Sequence, residues 1–584
     1  MKKILLAISV ASLLWSCGGD GGNNAEMHEG KGGVYYGGIL RTNETEDFRS
    51  LNPINVTEIV GLHVASHVYE GLVKLSQSDL SILPCLAEKW DKSDDATIWT
   101  FYLRKGVKFQ DDECFSDGKG REVNAQDLKY CFDRLCEASS DNQQYNITFK
   151  DRVQGAHEYR QSTIDKKPLT GGVSGIKVID DYTLQISLKY PFAGFLNILT
   201  MPGCWIYPKE AVTKYGSEMR VHCVGTGAFR VSANGLKEGE FVLMERNKNY
   251  WGMDEFGNQL PYLSGVKYSF IKDKKSEIID FRKGNLDMIF RLPIDQIPLV
   301  LDEFNHAKEG SSHFDMQVVP AMSIFYYGFQ HQSDIFSKKE VRLAFNYAID
   351  REKLVTHVLQ GEGIPGLHGM VPPSFKNYET SSIKGFTFNP DTAKKFMTKA
   401  GYPNGAGFPK LTLQINSGGG DRNVQTAEAI QKMLKENLNI DVDINVMPFA
   451  EHMQSYETGK AIFWRTGWIA DYPDPETFLI CLYGKLVPEK LSDQSYVNSV
   501  RYKSAKFDSV FELAMKEADT QKRYSLYMQA DQIAMDDAAI MPIFYDENYR
   551  LIQLWVKNFD ANAMEFRDLS KVYFIPKEEI KKKQ

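Results

Sequence analysis

Residues 463–475 of this 584-residue chain hold the side-chain types best suited to binding a doubly charged small ligand. A cation, Arg465, and an anion, Asp471, stand within seven residues, with Trp468 between them. A ligand with an ammonium at one end and a carboxylate at the other needs one group of each sign and an extended segment between them. Because charge-assisted hydrogen bonds contribute roughly 1.5–3 kcal/mol each, this segment predicts a site for a zwitterionic ligand.

The same residues have ordinary structural interpretations. The letters DYPDP at 471–475 are typical of a turn, since Asp and Pro favour turns for local reasons. Arg465 is equally able to pair with a neighbouring carboxylate, and Trp464 and Trp468 are equally able to pack in a core. The segment alone leaves these alternatives open.

Catalytic and metal-binding patterns are weak in this sequence. His63 and His67 have the spacing of two metal ligands on one helix face, but no glutamate follows the first histidine as HExxH requires. The sequence has no GxSxG, GxxxxGK[ST], GxGxxG or EF-hand pattern, and GGVSG at 171–175 has the wrong spacing for the serine motif. We therefore predict no catalytic residue, no metal ligand and no cofactor.

Length and charge narrow the class of protein. A chain of 584 residues exceeds what one hydrophobic core supports and should divide into two or three lobes. The formal net charge is −7, which argues against a nucleic-acid partner because phosphate contacts need clustered Lys and Arg. The lysines at 581–583 are interpreted as a solvated tail, and we expect a monomer.

The first residues have the pattern of an export signal. Lys2 and Lys3 precede an apolar stretch at 4–15, which is too short for the roughly 18 apolar residues of a spanning helix. The letters LWSC at 14–17 look like a bacterial lipobox, although Trp15 is bulkier than usual there and an ordinary secretory signal is the alternative. We predict a signal peptide at 1–16, lipidation of Cys17, and a Gly/Asn-rich flexible tether at 17–33.

The remaining cysteines do not form a recognisable framework. Seven follow Cys17, and an odd number leaves at least one thiol free even in an exported protein. No CxxC pair is present, and Cys131 and Cys136 are interpreted as small buried residues on a helix.

The elements that must position any site alternate between strand and helix patterns. A period-two segment at 411–415, a helical pattern at 424–438 and a second alternating segment at 440–446 predict a parallel βαβ unit. Other strands are predicted at 98–104, 183–188, 241–246 and 267–271, and helices at 124–137, 338–349 and 391–400. This alternation is typical of the α/β class.

Eight motifs in a fixed order carry a resemblance to a known family. They are SLNP (50–53), VYEGL (68–72), LAEKW (86–90), WTFYLRKGVKF (99–109), VNAQD (123–127), GTGAF (225–229), RNKNYW (246–251) and VRLAFNYAIDR (341–351). From about residue 38 to 550 the chain resembles the bacterial family 5 solute-binding proteins, the oligopeptide- and dipeptide-binding proteins of ABC importers.

The resemblance implies an α/β fold with two lobes of the periplasmic-binding-protein type, joined by hinge strands, and an extra third domain. Lobe I would comprise 34–70, 207–320 and 546–584, the extra domain 71–206, and lobe II 321–545. The lobes would close on a short peptide, and the closed form would dock transiently on ABC permease and ATPase subunits, with the N-terminal lipid holding the protein to the membrane.

The resemblance also assigns roles to individual residues. Asp471 matches the aspartate of a Trp-x-x-Asp motif that binds the α-ammonium of the peptide, and Arg465 matches an arginine placed to reach a carboxylate. Backbone groups of Gly467 and Ile469 would pair with the ligand like an added strand, and Trp468 would wall a side-chain pocket. Tyr130 matches a ligand-facing tyrosine, with plain packing on its helix as the alternative.

The ligand class itself stays open on resemblance alone. Members of the same architecture take nickel chelates, haem, sugars or opines, and a role as a peptide sensor or chaperone fits the same fold. Asp471 favours a ligand that carries an ammonium and disfavours a sugar.

Overall fold

A computed structural model describes residues 27–192, 194–292, 296–307, 314–417, 422–576 and 579. The predicted signal peptide, Cys17, the first part of the tether and the lysines at 581–583 lie outside the described residues. Within the described ranges, no helix combines the length and the apolar character needed to cross a membrane.

The predicted tether is too long at its C-terminal end. Strand His28–Glu29 pairs with strand Tyr35–Tyr36, and Lys31 exchanges backbone hydrogen bonds with the Asn258 side chain, at 3.0 Å through its N–H and 2.9 Å through its carbonyl. The prediction that residues 27–33 are tether is therefore wrong. Glycine-rich composition is typical of a tether, but these residues form a short hairpin and bind Asn258.

The βαβ unit is confirmed. Strands Leu411–Asn416 and Val442–Met447 pair in parallel, with Leu413 opposite Ile444, and helix Arg422–Leu438 connects them. The apolar positions of the helix at 427, 430 and 434 are fully buried, as their spacing predicted.

The other predicted elements are present, with ends shifted by a residue or two. The strands are Ile98–Leu103, Thr183–Ser187, Phe241–Arg246 and Gly265–Ser269, and the helices are Ala125–Cys136, Lys339–Ala348 and Pro390–Lys399. The helix Ala125–Cys136 begins where it does because Asn124 and Asp127 form a capping box.

Two long antiparallel strands run through the centre of the molecule. The hinge strands are Phe314–Phe329 and Ile540–Gln553, and their register shifts between Pro320 and Ile324. On one side of this shift Met288–Phe290 extends the pairing. On the other side the sheet continues through Phe463–Ile469 to the parallel pair of the βαβ unit, and Ile364–Pro365 adds to the second hinge strand. The two sides of the shift thus belong to different lobes of one chain.

Two smaller four-stranded sheets complete the lobes. One has the order Phe229–Lys237, Phe241–Arg246, Gly265–Ser269, Ile39–Asn43, and the other has the order Ala87–Lys92, Ile98–Leu103, Thr183–Ser187, Ile176–Asp180. Together with the central sheet they confirm the α/β, multi-lobed fold class. The residue borders of the lobes stay a prediction.

The remaining described helices of seven residues or more pack around these sheets. They are Ile59–Ala65, Ala156–Ile164, Lys209–Tyr215, Lys274–Arg282, Ile297–Ala307, Phe449–Glu457, Ala505–Lys516 and Thr520–Asp536. Ser504 and Asp519 cap the last two of these by accepting from the N–H groups of Phe507 and Lys522.

The histidine pair does not share a helix face. The helix Ile59–Ala65 ends before His67. His63 Nδ1 lies 2.8 Å from the Glu44 carboxylate, and His67 Nε2 shares a 3.0 Å hydrogen bond with the Tyr268 hydroxyl. Each ring therefore has its own structural partner. All seven described cysteines are free, and Cys131 and Cys136 are buried as interpreted.

Candidate ligand-binding cavity

A cavity of about 700 Å³ lies between the two lobes. One wall is formed by the strand Phe463–Ile469 and the residues that follow it, and the hinge contributes Ser323, Phe325 and Tyr326. The facing wall comes from earlier and later parts of the chain and includes Glu58, His67, Glu70, Lys74, Arg567 and Asp568. Five of the six predicted binding residues line this one cavity: Arg465, Gly467, Trp468, Ile469 and Asp471.

Asp471 places a carboxylate in the cavity without a cation. Its Oδ2 accepts a 3.2 Å hydrogen bond from the Thr477 hydroxyl, and no described Lys, Arg or His side chain forms an ion pair with it. Burial raises the pKa of Asp471 to about 7, the hydrogen bond from Thr477 lowers it, and the nearby charge of Glu476 raises it. The charged form of Asp471 is therefore disfavoured by burial, and an incoming cation would stabilise it.

Thr477 organises this end of the site, and the sequence alone did not single it out. Its side chain is fully buried. The hydroxyl oxygen lies 3.2 Å from the Asp471 N–H and 3.4 Å from the Trp468 indole N–H. One side chain thus fixes both the acid and the tryptophan. The only sequence feature that marks Thr477 is its position directly after the letters DYPDPE at 471–476, which are not specific.

Arg465 places a cation in the same cavity, also without a counter-ion. Its Nη1 donates to Asn416 Oδ1 at 2.9 Å, and its guanidinium lies 4.6 Å from the centroid of the Phe325 ring. No described Asp or Glu side chain forms an ion pair with it, so the alternative of pairing with a neighbouring carboxylate does not describe this structure. Burial lowers the pKa of Arg465 to about 10, and the group stays charged at neutral pH.

Part of the backbone between these two charges has N–H and C=O groups without a partner among the described residues. The strand Phe463–Ile469 pairs antiparallel with the first hinge strand without a register shift, and the Ala470 N–H donates to the Met322 carbonyl. Hydrogen-bonded and non-hydrogen-bonded pairs alternate in such a ladder. Residues 465, 467 and 469 therefore direct their N–H and C=O groups away from the hinge strand; the Arg465 carbonyl accepts from His452 Nε2 at 2.8 Å, whereas those of Gly467 and Ile469 have no partner among the described residues. On that side the strand meets Leu411–Asn416 only at the bridge between Gln414 and Trp464.

Trp468 and Gly467 shape the surface beside this edge. Trp468 is half-buried and its ring lies 5.9 Å from the Tyr496 ring, whereas Trp464 is fully buried against Tyr456. Of these two tryptophans, Trp468 lines the cavity and Trp464 is a core residue. A Cβ on Gly467 would lie 2.9 Å from Phe325 Cδ1, so the position has no room for a side chain.

Tyr130 does not line this cavity. It lies on the helix Ala125–Cys136, beside a surface depression that also contains Arg121 and Lys209, and the Lys209 ammonium is 5.9 Å from its ring centroid. The structure thus separates Tyr130 from the other five predicted residues. A role in binding a ligand at the cavity has no geometric support.

On the facing wall, Glu70 has three hydrogen-bond donors and Lys74 has a carboxylate partner. The Glu70 carboxylate accepts from the Thr226 hydroxyl at 2.7 Å, the Tyr250 hydroxyl at 2.9 Å and the Trp251 indole at 2.8 Å. Lys74 pairs with Asp568 at 2.8 Å. These contacts join the VYEGL, GTGAF and RNKNYW motifs, so those motifs build the wall rather than supply unpaired charges.

Comparison with known proteins places the chain in a family. Residues 81–487, more than two thirds of the chain, match the family model described as bacterial extracellular solute-binding proteins, family 5 middle. The periplasmic oligopeptide-binding protein OppA of Escherichia coli is 28% identical over 531 residues, which is 89% of both chains.

Two solved structures show the same fold. The DppA protein of Helicobacter pylori in complex with the peptide STSA has a TM-score of 0.79, with 24% identity over 92% of this chain and 98% of its own. The unliganded open form of the murein tripeptide-binding protein MppA has a TM-score of 0.65, with 25% identity over 93% of this chain and 98% of its own.

Proposed function

Because the chain belongs to the family 5 bacterial extracellular solute-binding proteins, we propose that it captures short peptides between its two lobes and delivers them unchanged to an ABC permease. The observation that carries this proposal is the Asp471 carboxylate, which lines the interlobe cavity with a hydroxyl partner and no cation among the described side chains. A peptide α-ammonium supplies the missing positive charge together with three N–H donors.

Arg465 gives the bound peptide a direction. With the ammonium at Asp471 and the carboxylate toward Arg465, the ligand runs antiparallel to the strand Phe463–Ile469. The outward N–H and C=O groups of Gly467 and Ile469 then pair with the ligand backbone as an added strand would. Two charged ends and several backbone bonds are sufficient for micromolar affinity, about −8 kcal/mol. Because backbone pairing ignores side-chain identity, the site should accept many sequences.

Lobe closure completes the capture. The hinge strands change register between Pro320 and Ile324, where a rotation of the lobes needs few backbone changes. The TM-score is 0.75 against one structure of MppA and 0.65 against its unliganded open form, which favours a closed arrangement in this structure. We further propose that Cys17 carries the lipid anchor, that the protein acts as a monomer, and that its contact with the permease and ATPase subunits is transient.

Isothermal titration of the chain from residue 18 tests peptide capture. Residues 27–33 must be retained because they pair with the folded protein. Free tri- to pentapeptides should bind, and the N-acetylated forms should bind at least tenfold more weakly (about 1.4 kcal/mol). The loss of affinity on C-amidation should vary more with peptide length than the loss on N-acetylation. Folded, ligand-free protein that gives no heat with any peptide pool would overturn the proposal and direct attention to chelates and sugars on the same scaffold.

A further inference from the structure

A buried ion pair joins the ligand-binding loop to the opposite side of the molecule. Arg152 Nη2 lies 2.9 Å from Glu476 Oε1, with side chains only 3% and 1% exposed. Glu476 follows the strand that carries Arg465 and precedes Thr477, which holds Asp471. Arg152 belongs to the region of the sheet Ala87–Lys92, because its neighbour Val153 forms a bridge with Leu188. The pair therefore spans 324 residues and two separately built regions.

Arg152 is fixed independently of its partner. Its Nη1 donates to the carbonyls of Ile147 and Thr148, at 3.1 Å each, and its guanidinium lies 5.2 Å from the Phe192 ring centroid. Ile147 itself lines the ligand cavity. The guanidinium is thus held by a segment that also contributes to the lining of the cavity.

The acids of the loop are treated differently. Asp474 pairs at 2.8 Å with Arg523, on the helix Thr520–Asp536 of its own lobe. Glu476 pairs with Arg152, which belongs to the other region. Asp471 has none among the described residues. Arg152 therefore neutralises the Glu476 charge of the loop only while the two regions are in contact.

We propose that Arg152 and Glu476, the closure pair, are positioning residues that hold the Asp471 loop in its ligand-binding geometry only in the closed protein. This inference rests on the proposed function. A buried ion pair as a whole contributes little net stability, but removing one partner leaves an uncompensated buried charge. That penalty applies to the closed form, whereas in an open form water would solvate the remaining charge. Loss of one partner therefore shifts the protein toward the open, weakly binding state.

The closure pair also sets the charge around Asp471. The titratable groups that act on or face Asp471 are Glu476, Cys481 and Tyr496. Burial raises the pKa of Glu476, and the charges of Arg152 and Arg523 oppose that rise. Without Arg152 the negative charge of Glu476 acts on Asp471 with only Arg523 to oppose it. Without Glu476 the positive charge of Arg152 favours ionised Asp471. The two losses thus have opposite electrostatic effects at the ammonium site.

The test is a double-mutant cycle on tripeptide affinity from pH 5 to 9, with Arg152→Gln, Glu476→Gln and the double variant. At pH 8 each single variant should bind at least tenfold more weakly, and the double variant should recover to within about threefold of the wild type. The acid-side loss of affinity should move to higher pH in Arg152→Gln and to lower pH in Glu476→Gln. Additive losses without recovery, or equal shifts of the pH profile, would overturn the closure pair.

Two controls separate the possible failures. Arg152→Lys keeps the charge and should bind more tightly than Arg152→Gln; equal weakness in the two would contradict the electrostatic role even if Arg152→Gln folds poorly. If the wild type itself binds no peptide, the proposed function fails and the closure pair falls with it. If the wild type binds with dependence on the free ammonium while the cycle is additive, only the closure pair fails.

Discussion

The ligand cavity and the hinge differ in whether their buried charged side chains have counter-ions. At the hinge, Asp546 is fully buried and lies 2.9 Å from the Arg291 guanidinium and 3.3 Å from that of Arg422, and Arg422 also reaches Glu362 at 3.3 Å. In the cavity, Asp471 and Arg465 have polar neighbours but no described counter-ion. The two regions share the same second-lobe sheet, so the difference does not arise from different types of fold.

This difference separates structural charge from charge reserved for a ligand. A buried charge without a partner disfavours the folded state, and a protein retains it where function needs it. The hinge network connects residues of both lobes around a paired centre, whereas the ligand-binding segment of the cavity wall carries Asp471 and Arg465 without a described counter-ion. The signs of the Asp471 and Arg465 charges, their separation along the strand and the outward-facing backbone groups between them favour one kind of ligand. This ligand is a short chain with an ammonium and a carboxylate.

The largest expected effect is at the hinge. Asp546→Ala leaves two arginines without their shared carboxylate and should lower the free energy of unfolding by about 3–5 kcal/mol, measured by urea unfolding of the unliganded protein. Glu238→Ala, which removes the exposed Arg220–Glu238 pair, is the matched control and should cost less than about 1 kcal/mol. Equal effects would remove the distinction between hinge and surface charge.

The cavity should respond in the opposite direction. Asp471→Asn should stabilise the unliganded protein by about 4 kcal/mol at pH 8, because the folded protein no longer holds an unpaired carboxylate and each unit of the pKa shift corresponds to about 1.4 kcal/mol. The pKa of Asp471 is raised in the folded state to about 7, so ionisation of the wild type costs stability as the pH rises from about 4 to 7. The gain should therefore be absent near pH 4 and constant above pH 7. Thermal unfolding that shows destabilisation at pH 8 would contradict the account.

Arg465 provides the complementary test in the cavity. Arg465→Gln should weaken binding of a peptide with a free carboxylate about tenfold, or about 1.4 kcal/mol, and should leave its C-amidated form nearly unaffected. The comparison is made by titration with matched peptides at one pH. Equal weakening of both peptides would show that Arg465 acts through packing on Phe325 rather than through its charge.

The smallest effect concerns the shape of the backbone edge. Gly467→Ala places a Cβ 2.9 Å from Phe325 Cδ1 and 3.0 Å from the Ile324 carbonyl, so the strand must shift by a few tenths of an ångström. We expect about a threefold loss of peptide affinity with little change in stability. Ile469→Ala, at an exposed side chain of the same edge, should keep the affinity because the ligand pairs with its backbone. A larger loss for Ile469→Ala would contradict strand-like pairing.

Sequence patterns predicted the elements better than the contacts between them. The βαβ unit follows from apolar spacing alone, because local periodicity sets both the strands and the helix. Asp471, Arg465 and the Gly467 edge lie within one strand and its turn, so their proximity was also local. Tyr130 required a correct long-range placement and does not reach the cavity. Thr477 contacts Asp471 and Trp468 only a few residues away, but no motif marks it; Arg152 and the hinge ion network depend on tertiary packing across hundreds of residues, and no local pattern indicates them.

A two-by-two titration tests the ammonium site most directly. Free and N-acetylated forms of one tripeptide are titrated into the wild type and Asp471→Asn at pH 7.5, after both proteins have been freed of bound ligand and checked for folding. The account predicts that acetylation weakens binding to the wild type at least tenfold and to Asp471→Asn less than twofold, because the ammonium and the carboxylate act on each other. An equal loss on acetylation in both proteins would show that Asp471 does not bind the ammonium, and the central assignment would be wrong.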